Sequence, residues 1–189
     1  MKRITLLLLA MLLFTACGRN RPADTSSRLI VPTKNALPIS GTFLDEISHD
    51  IPHQNWGEKE WDRDFRYMKD IGINTVILIR CGYRKFITYP SEYLLSRGCY
   101  MPSVDLVDMY LRLAEKYGMK FYFGLYDSGE YWDTGDMTSE IEANRHVIDE
   151  VWKMYGEKYS SFGGWYLSGE ISRATKGAIH AFREMGLQC

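Results

Sequence analysis

Cysteine is scarce in this sequence, and its four residues are far apart. They are Cys17, Cys81, Cys99 and Cys189, and no two form a CxxC motif. A zinc site built on cysteine is therefore not expected. If Cys17 is modified or removed, three cysteines remain, and an odd number argues against a complete disulfide framework. A single pairing of Cys81 with Cys99 and free thiols at both positions are alternatives that stay open.

Basic clusters and a phosphate-binding fingerprint are also missing. The chain has 23 basic and 24 acidic residues, a formal net charge of -1. GTFLDEIS covers most of the first predicted strand and has one glycine, at the start of the strand, so no Gly-rich turn follows the strand to hold a dinucleotide pyrophosphate. His49 and His53 stand four residues apart, but Pro52 prevents the helix that would align them on a metal. We therefore expect no nucleic-acid partner, no cofactor and no metal.

A long apolar run stands at the N-terminus, from Ile4 to Phe14, directly after Lys2 and Arg3. The run is too short to span a bilayer and is typical of a signal peptide. The residues that follow it, ending at Cys17, resemble a bacterial lipobox, which implies cleavage before this cysteine and lipidation of its thiol. Ordinary secretion with loss of Cys17 is the alternative. We predict a signal peptide, a lipidated polar tether and a domain, at residues 1–16, 17–37 and 38–189.

Glycines mark the predicted ends of three helices. KDIGINTVILI and EKYGMKFYFGLY pass from a helical pattern through Gly72 or Gly118 into an apolar run, and REMGLQC begins the same change at Gly186. Glycine enters the left-handed region without steric cost, so it is the usual residue just after a helix. Each of the three glycines therefore predicts a junction between a helix and a strand.

Helical spacing and continuous apolar runs predict four successive β/α units. Their bounds in chain order are strand 39–45, helix 58–71, strand 73–80, helix 103–117, strand 119–126, helix 139–156, strand 163–168 and helix 175–185. Continuously apolar strands are typical of a parallel sheet covered on both faces, in a doubly wound fold or a (β/α)8 barrel. A complete barrel needs about 250 residues. We therefore expect an α/β fold that is the N-terminal half of a TIM barrel, truncated before strand five.

Charged residues stand where the predicted strands end. Asp45 and Glu46 follow the first strand, Arg80 the second, Asp127 the third and Glu170 the fourth. In barrels the carboxyl ends of the strands carry the functional residues, and the opposite face carries stability. We therefore predict that these five side chains share one rim. A helix cap or a structural ion pair is the alternative role for Asp45, Glu46 and Asp127.

The chain resembles the bacterial domain-of-unknown-function family four-four-three-four in three stretches: ISGTFLDEIS, NWGEKEWDRDFRYMKDIGINTVILI and, most specifically, GGWYLSGEIS. The resemblance covers about residues 38–189. Members of this family resemble the TIM-barrel glycoside hydrolase clan and are common among lipoproteins of gut anaerobes. In related barrel glycosidases a glutamate at the end of strand four is the acid/base. The resemblance therefore implies that Glu170 has this role.

The predicted function follows from the rim and from this resemblance. Glycoside hydrolysis uses two carboxyl groups, one protonated and one ionised, on either side of the scissile bond. Arg80 would hold a second carboxylate ionised or bind the substrate, and Tyr126, Tyr131 and Trp132 would stack on a sugar or else cover the rim. We predict a cell-surface glycoside hydrolase with a carbohydrate partner, incomplete as it stands. The alternative is a non-catalytic glycan-binding lipoprotein, which would contact the membrane through its lipid only.

The lipobox resemblance makes a direct prediction about the mature N-terminus. We expect the mature chain to begin at Cys17 and to carry lipid, because an apolar segment and small residues precede that cysteine. Mass spectrometry of the membrane fraction measures both properties. An unmodified chain that begins at any other residue would reject lipidation.

Overall fold

The computed structural model describes residues 37–46, 56–173 and 175–189. The predicted signal peptide, Cys17 and the pair His49 and His53 lie outside these residues, so the structure does not test them. None of the described helices is long and apolar enough to cross a membrane. The residues from Pro38 to Cys189 form one unit.

Strands and helices alternate along this unit, as the apolar pattern predicts. The strands are β1 Gly41–Leu44, β2 Thr75–Leu78, β3 Gly82–Tyr83, β4 Phe86–Ile87, β5 Lys120–Gly124, β6 Tyr126–Asp127 and β7 Phe162–Tyr166. The helices are α1 Glu58–Asp70, α2 Glu92–Ser96, α3 Leu106–Tyr117, α4 Tyr131–Thr134, α5 Thr138–Val151 and α6 Ala178–Gln188, and a π-helical turn, Trp152–Gly156, extends α5. The fold is therefore mixed α/β.

The main sheet is parallel and is built in chain order, β1-β2-β5-β7. Each strand is added on the same side of the one before it. Since crossovers between parallel strands are right-handed, this order puts the connecting helices on one face of the sheet. Val76 and Phe121 point to that face and are fully buried, and Phe121 lies against Tyr110 of α3 with 6.1 Å between ring centroids.

The other face of the sheet is concave. Phe43 of β1 and Tyr166 of β7 belong to the two edge strands, which are separated by β2 and β5. Neighbouring strands lie about 4.8 Å apart, so the edges of a flat sheet of this size would be about 14 Å apart. The two rings nevertheless meet edge to face, with centroids 5.3 Å apart. The sheet must therefore curve strongly for these two side chains to touch.

Two of the three glycine junctions are confirmed. Gly72 has φ +95° after α1, and Gly118 has φ +65° after α3, so both use the left-handed conformation that glycine tolerates. The predicted junction at Gly186 is wrong, because α6 continues through it to Gln188. The Gln188 amide donates to the Arg145 carbonyl at 3.0 Å and to Asp149 at 2.9 Å, which holds the last turn of α6 on α5.

The long connection after β2 contains structure that the apolar pattern did not reveal. It folds into the hairpin of β3 and β4 and then into the short helix α2. Strand β6 pairs with β3, so β4-β3-β6 form a second, small sheet beyond the carboxyl ends of the main strands. The predicted strand 119–126 therefore divides into β5 in the main sheet and β6 in the small one.

Gly124 of β5 lies close to the backbone at the end of β2, and this contact generates a prediction about stability. A Cβ atom there would lie 2.1 Å from the Leu78 carbonyl oxygen, and Cys81 donates its N–H to the Gly124 carbonyl at 2.8 Å. Since the backbone cannot move aside cheaply, we expect Gly124→Ala to reduce the free energy of unfolding by about 3 kcal/mol or more.

Gly41 is the matched control for this prediction. A Cβ atom at Gly41 would come no closer than 3.6 Å to Thr75, which is ordinary contact, and we expect Gly41→Ala to stay within about 0.5 kcal/mol of the wild type. Urea denaturation of both variants measures the difference. Equal stabilities would show that β2 and β5 are not packed this closely.

Candidate functional site

Three of the five predicted rim residues meet at the carboxyl ends of the main strands. Arg80 Nη1 lies 3.3 Å from Asp127 Oδ2. The Tyr131 hydroxyl donates to the same oxygen at 3.4 Å, and the Glu170 N–H donates to the Tyr131 oxygen at 3.2 Å. This chain of contacts, which we call the rim cluster, lies at the opposite end of the strands from the Gly72 and Gly118 turns.

Asp127 is the buried member of the rim cluster, with 2% of its surface exposed. Burial raises the pKa of its carboxyl group, and Glu170 adds to the rise, while Gly129, Arg80 and Tyr131 act against it. The Gly129 N–H donates to Asp127 Oδ1 at 2.8 Å. Each Asp127 oxygen therefore accepts at least one hydrogen bond, which offsets the cost of burying this carboxylate.

Arg80 has one donor that no described residue accepts. One of its terminal nitrogens binds Asp127, and its guanidinium stands 4.9 Å from the centre of the Tyr83 ring. Its Nε–H is buried and has no acceptor within the described ranges. A buried donor without a partner is costly. The part of the Arg80 side chain that a ligand oxygen can contact is the 17% that is exposed.

Glu140 is a buried acid beside the rim cluster that the sequence analysis missed. Its carboxylate accepts from the Ser128 N–H at 3.1 Å and from the Ser128 hydroxyl. Burial raises the pKa of Glu140 to about 7, and the neighbouring Asp127 adds to the rise, while the bonds from Ser128 oppose it. The signal was present in the helical spacing, since Glu140 lies on the same stripe of α5 as Val147 and Val151.

Glu46 lies in a different environment from the rim cluster. Glu46 is 2% exposed and faces the Tyr110 hydroxyl of α3, on the helix side of the sheet. Burial is the main reason that its pKa rises to about 8, Asp45 adds to the rise, and the Tyr110 hydroxyl opposes it. Asp45 itself is half-buried. Glu46 is therefore an acid of the core. It was expected at the rim, but a residue that follows the end of a strand can point to either face of the sheet.

The three predicted stacking rings do not form one platform. The Tyr126 hydroxyl donates to the Arg84 carbonyl, which places this ring toward a neighbouring cleft. Tyr131 is 2% exposed and contributes its hydroxyl to the rim cluster. Trp132 is 49% exposed and stacks on Tyr131 with centroids 5.5 Å apart. One indole ring is therefore open to solvent beside the rim cluster.

Glu170 itself is exposed, and the aromatic residues that precede it point elsewhere. Trp165 packs edge to face on Phe123 with 5.7 Å between centroids, on the helix side, and Tyr166 meets Phe43 on the concave side. The polypeptide after β7 is held by the Tyr131 oxygen, which accepts from the Glu170 N–H. The carboxyl group of Glu170 is therefore free to reach a ligand over the rim.

Metal-binding and disulfide chemistry receive no support from the described part of the chain. No group of three or more histidine, cysteine, aspartate or glutamate side chains in it could hold a metal ion. Cys81, Cys99 and Cys189 are free thiols. Cys81 and Cys99 are therefore free thiols in the structure and do not form a disulfide.

Comparison with known proteins identifies the family. Residues 39–186 match the family described as "Domain of unknown function (DUF4434)". This chain belongs to the DUF4434 family. The resemblance seen in its sequence motifs is therefore confirmed. No curated protein matches the DUF4434 chain.

One similar solved structure is a crystal structure of a "putative alpha-L-fucosidase" from Bacteroides thetaiotaomicron VPI-5482. It is 79% identical in sequence, superposes with a TM-score of 0.79, and the match covers 89% of this chain and 52% of that one. The DUF4434 chain therefore spans about half the length of the Bacteroides protein.

The raised pKa of Glu140 predicts a pH dependence of stability. The folded-state pKa of about 7 is above the ordinary value of 4.5 for a glutamate, so the folded chain holds this proton more tightly than the unfolded chain. The resulting stabilisation is complete below about pH 4.5 and is lost as the pH rises through about 7. Glu140→Gln, which keeps the shape without a charge, should be more stable than the wild type at pH 8 by about 1–3 kcal/mol.

Glu142→Gln is the matched control for this measurement. Glu142 lies on the same helix, but its side chain is 60% exposed, so its replacement should leave the pH profile nearly unchanged. Denaturant unfolding between pH 4 and pH 9 gives the three profiles. A wild-type slope that survives unchanged in Glu140→Gln would assign the titration to another group.

Proposed function

We propose that this domain is the N-terminal half of a (β/α)8 barrel of the glycoside hydrolase type. Two features of the fold support the proposal: the strands are added in one direction, and the sheet curves until Phe43 touches Tyr166. In a barrel the sheet curves round an interior that is filled by the inward-facing side chains of its strands. The match to about half of the Bacteroides protein agrees with a barrel whose other half lies elsewhere in such a protein.

We propose that Glu170 is the general acid of this barrel, acting on carbohydrate. The observation that carries the proposal is the rim cluster, because it joins the ends of three strands at the functional face of such a fold. Glu170 would protonate the departing oxygen. Arg80 would bind a substrate oxygen through the exposed part of its guanidinium, and Asp127 would hold that guanidinium in place.

The reaction also needs a second carboxyl group on the opposite side of the scissile bond. Glu46 and Glu140 are poor candidates, because both side chains are 2% exposed, and Glu140 also accepts hydrogen bonds from Ser128. We propose that the second carboxyl group comes from the other half of the full barrel. Asp45, Tyr126, Tyr131 and Trp132 remain proposed contributors to substrate binding, and the open indole of Trp132 is the member best placed to stack on a sugar.

A non-catalytic glycan-binding role is the second candidate. The exposure of Glu170 favours it, since a general acid is usually enclosed in a site from which water is excluded. In both cases we propose that the protein is a lipoprotein of the bacterial cell envelope, anchored through Cys17, with no nucleic-acid partner and no cofactor.

The test of Glu170 uses a full-length protein that contains this domain. Alpha-L-fucosides are the first substrates to assay, because the 79% identical structure is described as a "putative alpha-L-fucosidase". We expect Glu170→Gln to lower turnover of an unactivated fucoside by about 10²–10⁴-fold, since the amide cannot supply a proton. Aryl fucosides with a good leaving group need little protonation and should lose less.

Glu157→Gln is the matched control, because Glu157 is an exposed glutamate before the start of β7, at the far end of the strand. Its turnover should equal that of the wild type. Equal turnover by Glu170→Gln, with both proteins folded, would remove Glu170 from the mechanism. Saturable sugar binding without turnover by the wild type would establish the non-catalytic alternative for the sugars tested.

A further inference from the structure

A cavity lies outside the rim cluster, and the proposed function does not use it. It has a volume of about 710 Å³, which is within the usual range of small-molecule sites. It opens between the hairpin of β3 and β4, the short helix α2 and the first turns of α5. We call it the Arg84 cleft, and its charged or hydroxylated lining includes Arg84, Lys85, Tyr93, Arg97, Glu130 and Glu142.

Positive charge in the Arg84 cleft is only partly neutralised. Arg97 is paired with Glu142 at 3.0 Å. Arg84 and Lys85, at the tip of the hairpin, form no ion pair with any residue in the described ranges, and both are exposed. In a chain with a net charge of -1, two adjacent cations without counter-charges attract an anion to this wall.

The hairpin holds Arg84 in a conformation that favours glycine. Its φ is +54°, in the left-handed region that is costly for other residues. Three contacts maintain it: the Arg84 N–H donates to the Asp127 carbonyl at 2.9 Å, and its own carbonyl accepts from Tyr126 and from Cys99. Gly129 leaves room for the side chain, since a Cβ atom there would lie 3.2 Å from Arg84 Nε.

The opposite wall of the Arg84 cleft offers groups that suit hydroxyls. Glu130 and Ser139 are exposed there, at the start of α4 and in the first turn of α5. A carboxylate accepts hydrogen bonds from hydroxyl groups, and a serine both donates and accepts. The amino end of α5 also carries the positive end of the helix dipole, which favours a nearby anion.

We infer that the Arg84 cleft binds an acidic saccharide, with its oxyanion on Arg84 and Lys85 and its hydroxyls on Glu130 and Ser139. A carboxylate or a sulfate ester on the sugar would supply the same charge. The cleft adjoins the rim cluster through Tyr83, whose ring lies 4.9 Å from the Arg80 guanidinium and 5.2 Å from that of Arg84. Binding there does not depend on Glu170, so the inference stands apart from the proposed catalysis.

The experiment measures binding by titration calorimetry on the full chain with three probes. Trigalacturonate supplies carboxylates only, a κ-carrageenan tetrasaccharide supplies sulfate esters only, and the methyl ester of trigalacturonate is the uncharged counterpart. We expect saturable binding of at least one charged probe, weakened by salt, and much weaker binding of the ester. The preferred charged probe identifies the oxyanion.

Arg84→Gly is the decisive variant, because it removes the cation while glycine suits φ +54° and the fold is kept. We expect it to weaken binding about tenfold or more. Lys85→Ala should also weaken binding of the charged probe. Lys59→Ala removes an exposed cation of α1 and should bind like the wild type, as should Glu170→Gln.

Several results would overturn the inference. They are the absence of saturable binding, equal binding of the methyl ester, and wild-type affinity in both Arg84→Gly and Lys85→Ala. An equal loss in Lys59→Ala would show that the probes respond to overall charge rather than to the cleft. Loss of binding in Glu170→Gln would place the saccharide in the rim cluster instead.

Discussion

Asp127 is the residue on which both candidate sites depend. Its side-chain oxygens accept from Gly129 and Tyr131 and pair with Arg80, and its backbone carbonyl accepts from Arg84. One buried residue at the end of β6 therefore positions a cation over the rim cluster and a second cation in the Arg84 cleft. Strand β6 can hold both cations because it pairs with β3, and β3 lies between Arg80 and Arg84 in the chain.

Buried carboxyl groups recur around this framework, and the structure stabilises them in different ways. Asp127 is matched by Arg80 and several donors. Glu140 is bound by Ser128, and Glu46 faces Tyr110 on the helix side. Burial is the largest cause of the raised pKa values of Glu46 and Glu140. These buried acids hold loops and helices against the sheet near neutral pH. Glu170, by contrast, is exposed and stays available to a ligand.

The rim could be predicted in part, and the physical reason is the regularity of parallel sheets. When an apolar strand ends, the next polar residue reaches the carboxyl edge, so Arg80, Asp127 and Glu170 were predicted together and lie together. Which face a residue points to is harder to predict, because a shift of one residue reverses it. Glu46 and Tyr126 were therefore misplaced, and Glu140 was overlooked because its polar character hid its place on a buried helix stripe.

The sequence by itself determined the order of the four main strands and the helices between them, the glycine turns at Gly72 and Gly118, and the charged residues at the carboxyl edge. All of these depend on short-range patterns of apolar spacing and backbone freedom. Only the tertiary structure decided the curvature that brings Phe43 to Tyr166, the second sheet built by β3, β4 and β6, and the Arg84 cleft. These features rest on contacts between residues distant in the chain, whose geometry depends on how the elements pack and not on any local pattern.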